Sequence, residues 1–235
     1  MMTLRVLHVD DEADIREVVK IALDLDPELV VRSCASGEEA LAEAAAWTPD
    51  LLLCDVMMPF MDGPALLARL RASPLTAAVP LVFMTARAQE TELARLRLLG
   101  AIGTIAKPFD PMSLSELVRY HITSSKLAAM SDGFDNRLRA DLATLVRCRG
   151  GLGDNALSAT EMELLESCAH KLSGAAGIFG YQDVSDAALR LEESVIAERS
   201  GVATRSDAKA QLDALVDCIS RQPSVSGTSI RGALI

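Results

Sequence analysis

Apolar runs and helical repeats alternate through the first half of the chain. Leu4 to Val9 is apolar-rich and ends in the acidic turn Asp10, Asp11, Glu12. Ile15, Val18, Val19, Ala22 and Leu25 then recur at helical spacing until Pro27. A second strand is predicted near Leu29 to Cys34, and Ser36-Gly37 opens an alanine-rich helix to about Trp47. Four apolar residues in a row, Leu51 to Cys54, read as a strand buried on both faces, and the run ends on Asp55. After a loop with Pro59 and Gly63 come a helix to about Ala72, a strand Leu81 to Met84 ending at Thr85, and a helix from about Glu90 to Leu99. A short strand near Gly103 to Ala106 ends at Lys107-Pro108-Phe109, and Pro111 opens a last helix with Met112, Leu114, Leu117, Val118 and Ile122 for its buried stripe. Five strands alternating with five helices predict an α/β doubly wound, five-stranded parallel sheet over residues 1–124.

The second half has helical periods only. From Ser124 to Asp132 nothing breaks a helix, so 125–133 reads as a helical linker ending at Gly133, with coil as the other possibility. A new stretch starts near Phe134 (Leu138, Leu142, Leu145) and ends in a loop with Gly150, Gly151 and Gly153. Ser158 and Glu161 form a capping box before the stripe Met162, Leu165, Ala169, Leu172, Ala176. Helices over about Val184 to Arg199 and Ser206 to Arg221 complete an all-α four-helix bundle over residues 134–222. The tail 223–235 is rich in Ser and Gly, without a period, and reads as disordered.

Composition narrows the function classes. The net charge of −10 is shared by both halves, 11 basic and 18 acidic groups in residues 1–125 against 12 and 15 in 126–235, so neither offers a face for nucleic acid. Five widely spaced cysteines without a Cys-x-x-Cys fit reduced thiols packed in cores. Acidic residues at 10–12 precede any signal-peptide apolar region, and no run approaches the roughly 18 apolar residues of a membrane span. The expectation is a soluble, cytoplasmic chain with no membrane partner.

Candidate chemistry sits at the carboxyl ends of the strands, where doubly wound sheets gather their functional groups. Asp10, Asp11, Asp55, Thr85 and Lys107 all lie there. Converging carboxylates repel one another and favour a hard divalent cation, and Mg²⁺ keeps water positions that a phosphoryl oxygen can take. A site for phosphate is expected.

In the second half His170 lies off the apolar stripe, on a face shared with Glu166, Ser167, Ser173, Gly174 and Gly177. Each glycine inside a helix costs about 1 kcal/mol relative to alanine. Either the glycines let another helix of the bundle pack closely beside an ordinary exposed histidine, or they make room for a visitor at His170. The wheel alone does not choose.

Residues 1–124 resemble the receiver domain of two-component response regulators, through the Asp10-Asp11-Glu12 turn, Asp55, Thr85 and Lys107-Pro108. The resemblance implies a flavodoxin-like fold of strand order 2-1-3-4-5 with Asp55 as phosphoryl acceptor. It also implies Mg²⁺ bound directly by Asp11 and Asp55 and the backbone carbonyl of Met57, with Asp10 helping through water. Thr85 and Lys107 would hold phosphoryl oxygens, with a cis Lys107–Pro108 bond. The aromatic residue usual three positions before that lysine is Thr104 here. Residues 169–180, AHKLSGAAGIFG, resemble the phosphoryl-accepting helix of histidine-containing phosphotransfer (Hpt) domains, which implies that His170 carries a phosphoryl group. A lysine common three residues after the histidine is Ser173.

The two resemblances imply a phosphorelay protein whose partners are sensor histidine kinases and other receiver domains, with a homodimer as a further option. Kinase activity of its own would need an ATP-binding domain that these 235 residues do not hold. A haloacid-dehalogenase-like phosphatase would need a second Asp where Met57 stands. A binding-only scaffold with one inactive domain is the remaining alternative. Because the helix after Lys107 starts at the carboxyl edge and runs back along the sheet, about 12 residues take the chain roughly 18 Å from Asp55. Direct exchange between Asp55 and His170 of one chain is therefore not expected.

Overall fold

The computed structural model describes residues 3–87, 89–154, 159–202 and 204–225. The chain divides into two compact units, Met1–Ala128 and Ala129–Ile235.

In the first unit β1 (Leu4–Val9), β2 (Leu29–Cys34), β3 (Leu51–Asp55), β4 (Leu81–Thr85) and β5 (Gly103–Ala106) pair in parallel in the order β2-β1-β3-β4-β5. All five residues of β3 and of β4 are buried, as unbroken apolar runs require in a sheet covered on both faces. Residues of one strand parity (Leu7, Val9, Leu52, Cys54, Phe83) pack with Ala40, Ala44, Leu66 and Leu70. Those residues belong to α2 (Gly37–Trp47) and α3 (Gly63–Ala72). The opposite parity (Val6, Leu51, Leu53, Val82, Met84) packs with α1 (Ala13–Asp24) and the start of α5 (Leu114–Asp154). α4 spans Glu90–Leu98. Helix starts follow side-chain caps: Ser36 accepts from the Glu39 N–H, and Asp62 from the Ala65 N–H at 2.8 Å.

Two stripes are narrower than periodicity alone suggests. In α1 the buried residues are Val19, Ala22 and Leu23, while Val18 and Leu25 are exposed. In α5 Leu114, Val118 and Ile122 are buried at i, i+4 and i+8, and Met112 and Leu117 are exposed. A helix resting on one sheet face buries only the residues within that contact arc, and apolar residues at its margins stay in water. The helix expected to open at Pro111 starts at Leu114, because Pro111 to Ser113 form a turn in which the Ser113 N–H bonds the Asp110 carbonyl.

In the second unit, α5 continues and is joined by α6 (Ala159–Ala175), α7 (Gln182–Arg199) and α8 (Arg205–Ser220) around one core of Leu138, Leu145, Leu165, Ala169, Leu172, Leu191, Leu212 and Leu215. Phe134 stacks on Phe179 with ring centroids 4.5 Å apart. Residues 125–133 are helical within α5, which runs on past Gly133 and through Gly150, Gly151 and Gly153. Neither the break at Gly133 nor the glycine loop is formed. Each glycine's cost of about 1 kcal/mol is small against burial of about 1.5–3 kcal/mol for each leucine of the stripe. Ser158 of the expected capping box lies outside the described residues, as do residues 226–235 of the tail. Pro223 to Val225 form a turn in which the Ser224 hydroxyl lies 2.9 Å from the Tyr181 hydroxyl.

Among the described residues no helix is long and apolar enough to cross a membrane. All five cysteines are buried free thiols, and burial pushes Cys34 up to about 11 and Cys168 up to about 12, which keeps them neutral packing groups.

Candidate functional site

The strand order turns between β1 and β3, and there the carboxyl ends open an uncovered cleft of about 680 Å³. Asp11, Asp55, Met57, Thr85 and Lys107 line it together. Asp55 ends β3, is 8% exposed, and has its Oδ2 fixed by the Met57 N–H at 2.7 Å. Lys107 reaches in from the end of β5, its Nζ 2.5 Å from Asp55 Oδ1 and 2.6 Å from Asp10 Oδ2. Burial works against the ammonium, but its hydrogen bonds to the Asp10 and Asp55 carboxylates outweigh it and raise the Lys107 pKa above its ordinary value. The amine therefore stays a cation at neutral pH.

The backbone places this lysine firmly. Its N–H donates to the Thr85 carbonyl at 2.7 Å, and the Lys107–Pro108 bond is cis. The Thr85 hydroxyl, at the end of β4, accepts from the Arg87 N–H at 3.0 Å. Gly63 explains how the loop after Asp55 returns so closely: a Cβ there would stand 2.5 Å from the Asp55 carbonyl oxygen and 2.7 Å from the Phe83 ring. Arg16, which the sequence pattern did not single out, donates to the carbonyls of Asp10 at 2.7 Å and Asp11 at 2.9 Å and so braces the acidic turn.

The three carboxylates do not converge as a ready cluster. Asp10 is fully buried and turned to Lys107, and among the described residues no group of three or more His, Cys, Asp or Glu side chains is arranged to hold an ion. Three anions repel, and the ammonium of Lys107 sits between two of them. Asp11, Asp55 and Met57 line the cleft, and their carboxylate and carbonyl oxygens are hard donors of the kind Mg²⁺ takes, few enough to leave positions for water and phosphate.

His8 lies on β1 one side-chain repeat before Asp10, fully buried, with neither ring nitrogen hydrogen-bonded among the described residues. Burial lowers its pKa to about 4; nearby Asp10 opposes this, and Lys107 and Arg16 add to it. The unfolded chain takes up this proton near pH 6.5 and the folded one only near pH 4, so stability falls as pH drops through that window, by up to about 1.4 kcal/mol per pH unit. Urea melts followed by Trp47, the single tryptophan, should show the fall in wild type and a shallower one in His8→Leu. His121 packs its ring over Gly103, where a Cβ would meet it at 2.3 Å.

In the bundle His170 is 75% exposed on α6, and its Nδ1 lies 2.8 Å from Glu192 Oε1 on α7. A carboxylate at Nδ1 calls for the tautomer with hydrogen on that nitrogen, which leaves the Nε2 lone pair free. Ser173 Oγ lies 2.9 Å from the His170 carbonyl and 3.2 Å from Glu192 Oε2. Glu163, Glu166, Ser167 and Arg199 complete a shallow cleft around the ring. The glycines divide between the two readings of this face. A Cβ on Gly177 would press to 3.2 Å from Gln182 Oε1 of α7, so it serves packing, and it belongs to a 3-10 turn (Ala176–Phe179) rather than to α6. A Cβ on Gly174 would meet nothing within 4 Å, so that glycine leaves the surface beside His170 low.

A parallel sheet with acid, amine and hydroxyl converging at its carboxyl edge, joined on one chain to a bundle with an outward histidine, defines a protein of His–Asp phosphotransfer type. Comparison with known proteins agrees. Residues 6–119 match the response regulator receiver domain and residues 136–222 the Hpt domain. The chain is 33% identical over 135 residues to the alkaline phosphatase synthesis transcriptional regulatory protein PhoP of Bacillus subtilis, a match covering 57% of this chain and 55% of that one. It is 34% identical over 116 residues to an uncharacterised 14.6 kDa protein of Leptolyngbya boryana, covering 49% of this chain and 88% of that one. The fold is shared with the signal receiver domain of a protein described as a Luxo repressor from Vibrio parahaemolyticus, at 22% identity and a TM-score of 0.50, covering 55% and 97% of the two chains. The chain belongs to the response regulator receiver family and carries an Hpt domain behind its receiver, the domain make-up of a phosphorelay signalling protein.

Proposed function

We propose that this protein takes a phosphoryl group on Asp55 and carries one on His170, serving a sensor histidine kinase on one side and partner receivers on the other, in the cytoplasm. The observation that carries the reading is the Lys107 ammonium 2.5 Å from Asp55 at the edge of an open cleft. Asp11, Asp55 and the Met57 carbonyl, with Asp10 behind, would hold Mg²⁺, which would supply charge to screen the incoming phosphoryl oxygens from the carboxylates. The Asp55 carboxylate oxygen attacks phosphorus as the bond from phosphorus to the donor's imidazole nitrogen breaks, and the electron pair of that bond stays on the nitrogen. Lys107 and the Thr85 hydroxyl each take one phosphoryl oxygen. The test is labelling with acetyl phosphate and Mg²⁺ followed by mapping of the acyl phosphate; label at any residue other than Asp55 sinks the reading.

In the bundle, Glu192 orients His170 and stabilises the cation formed as Nε2 attacks the phosphorus of a partner receiver's acyl phosphate, whose P–O bond breaks with its electron pair leaving on the aspartate carboxylate. Glu192→Ala should slow acceptance from a phosphorylated receiver about ten-fold, the scale of losing one hydrogen bond to a charged group. Glu192→Gln retains an acceptor for Nδ1 and should recover most of the rate, measured by single-turnover transfer.

A further inference from the structure

The loop after Asp55 contains a residue that folding alone does not explain. Phe60 is fully exposed, at 103% of its reference area, and its φ is 65°, in the left-handed region. The Met61 N–H bonds the Pro59 carbonyl at 2.7 Å across it, closing a three-residue turn of the hand that is rare and strained for L-residues. Glycine or asparagine would hold that turn at lower cost, and an aromatic ring that buries nothing returns none of it.

The backbone that carries the ring is also held still. Met58 and Met61 on either side are buried in the core beneath the sheet, and Met61 sits so tightly on Gly37 that a Cβ there would come within 2.7 Å of its sulfur. Beyond them Gly63 is pressed against the Asp55 carbonyl. Pro59 and Met57 line the cleft, and Met57 is 66% exposed, so Phe60, next in the chain after Pro59, stands at the rim of the cleft. The charged groups of the same lining are of both signs, Glu12, Asp62 and Glu92 against Arg87 and Arg95.

We propose that Phe60 is a docking anchor for the histidine-bearing helical domain of the protein phosphodonor, and that it sets which donors deliver to Asp55. The inference rests on Asp55 being the acceptor. Asp55 is 8% exposed, so a phosphohistidine has to be inserted through the mouth while the helix that carries it lies on the rim. A small phosphodonor enters without touching the rim. Aromatic side chains are enriched at the centres of such interfaces, and one on a backbone already fixed in place has only its own two torsions to order on binding.

The test uses the full chain with Phe60→Ala, Phe60→Gly and Phe60→Tyr. The small donor is acetyl phosphate with Mg²⁺. The protein donor is whichever purified histidine kinase of the source organism, supplied with ATP, labels the wild-type chain fastest. Labelling by acetyl phosphate should stay within about two-fold of wild type in all three variants, while kcat/KM with the kinase falls about ten-fold or more in Phe60→Ala and Phe60→Gly, through KM. Phe60→Tyr keeps the ring and should keep the kinase rate. Phe60→Gly should also raise the thermal midpoint of Trp47 fluorescence, since it relieves the turn. An unchanged kinase kcat/KM in Phe60→Ala overturns the proposal, and so do equal losses with both donors. Failure of acetyl phosphate to label wild type at Asp55 would instead remove the receiver reading itself.

Discussion

Replacing Asp55 by Asn is expected to reduce Mg²⁺-dependent labelling by acetyl phosphate to background, while His170→Gln leaves that labelling intact. Asparagine matches aspartate in shape and can still accept the Met57 N–H bond, so β3 and its loop are kept. What disappears is the anionic oxygen, both as nucleophile and as one of the two carboxylates that hold Lys107. Removing a nucleophile of this kind costs several orders of magnitude in rate. Asp10 is fully buried, and Asp11 lines the cleft but is not one of the two carboxylates that Lys107 engages, so neither matches the setting of Asp55. Labelled Asp55→Asn protein would show that the acceptor is elsewhere.

The second large effect concerns exchange between the two phosphoryl carriers. Mixing Asp55→Asn chains, which keep His170, with His170→Gln chains, which keep Asp55, should give transfer from the phosphorylated receiver to the histidine at a rate that rises with protein concentration. Wild-type chains should show the same concentration dependence. The expectation comes from the chain's path: the helix after Lys107 starts at the edge where Asp55 lies, and each residue along it moves the chain about 1.5 Å away. Transfer between molecules, including the two chains of a homodimer, avoids that constraint. Transfer in wild type that is indifferent to dilution, with none in the mixture, would contradict it.

The ends of β3, β4 and β5 and the grouping of Asp55, Thr85 and Lys107 were legible in the sequence, because alternating strands and helices force a parallel sheet and a parallel sheet gathers its carboxyl ends. His170 was legible for a similar reason: a polar residue off an apolar stripe on α6 has to face outward, and it is 75% exposed. Those readings use one period and one chain direction, which sequence carries locally.

Other features depended on contacts between distant parts of the chain. Glu192 is 22 residues from His170 and meets it only because α7 packs beside α6; nothing in its own helix marks it. Gly174 and Gly177 look alike on a helical wheel, yet one faces open space and the other abuts Gln182. Gly133 carried the local signal of a break, and α5 passes through it because residues on either side are buried in their cores. The sequence by itself determined the element order, the parallel sheet and the chemical types at its edge, since each follows from spacing along the chain. Only the tertiary structure decided that Lys107 sits between Asp10 and Asp55, that Glu192 takes His170 Nδ1, and that Phe60 is held outward, since each depends on which surfaces meet when the elements pack.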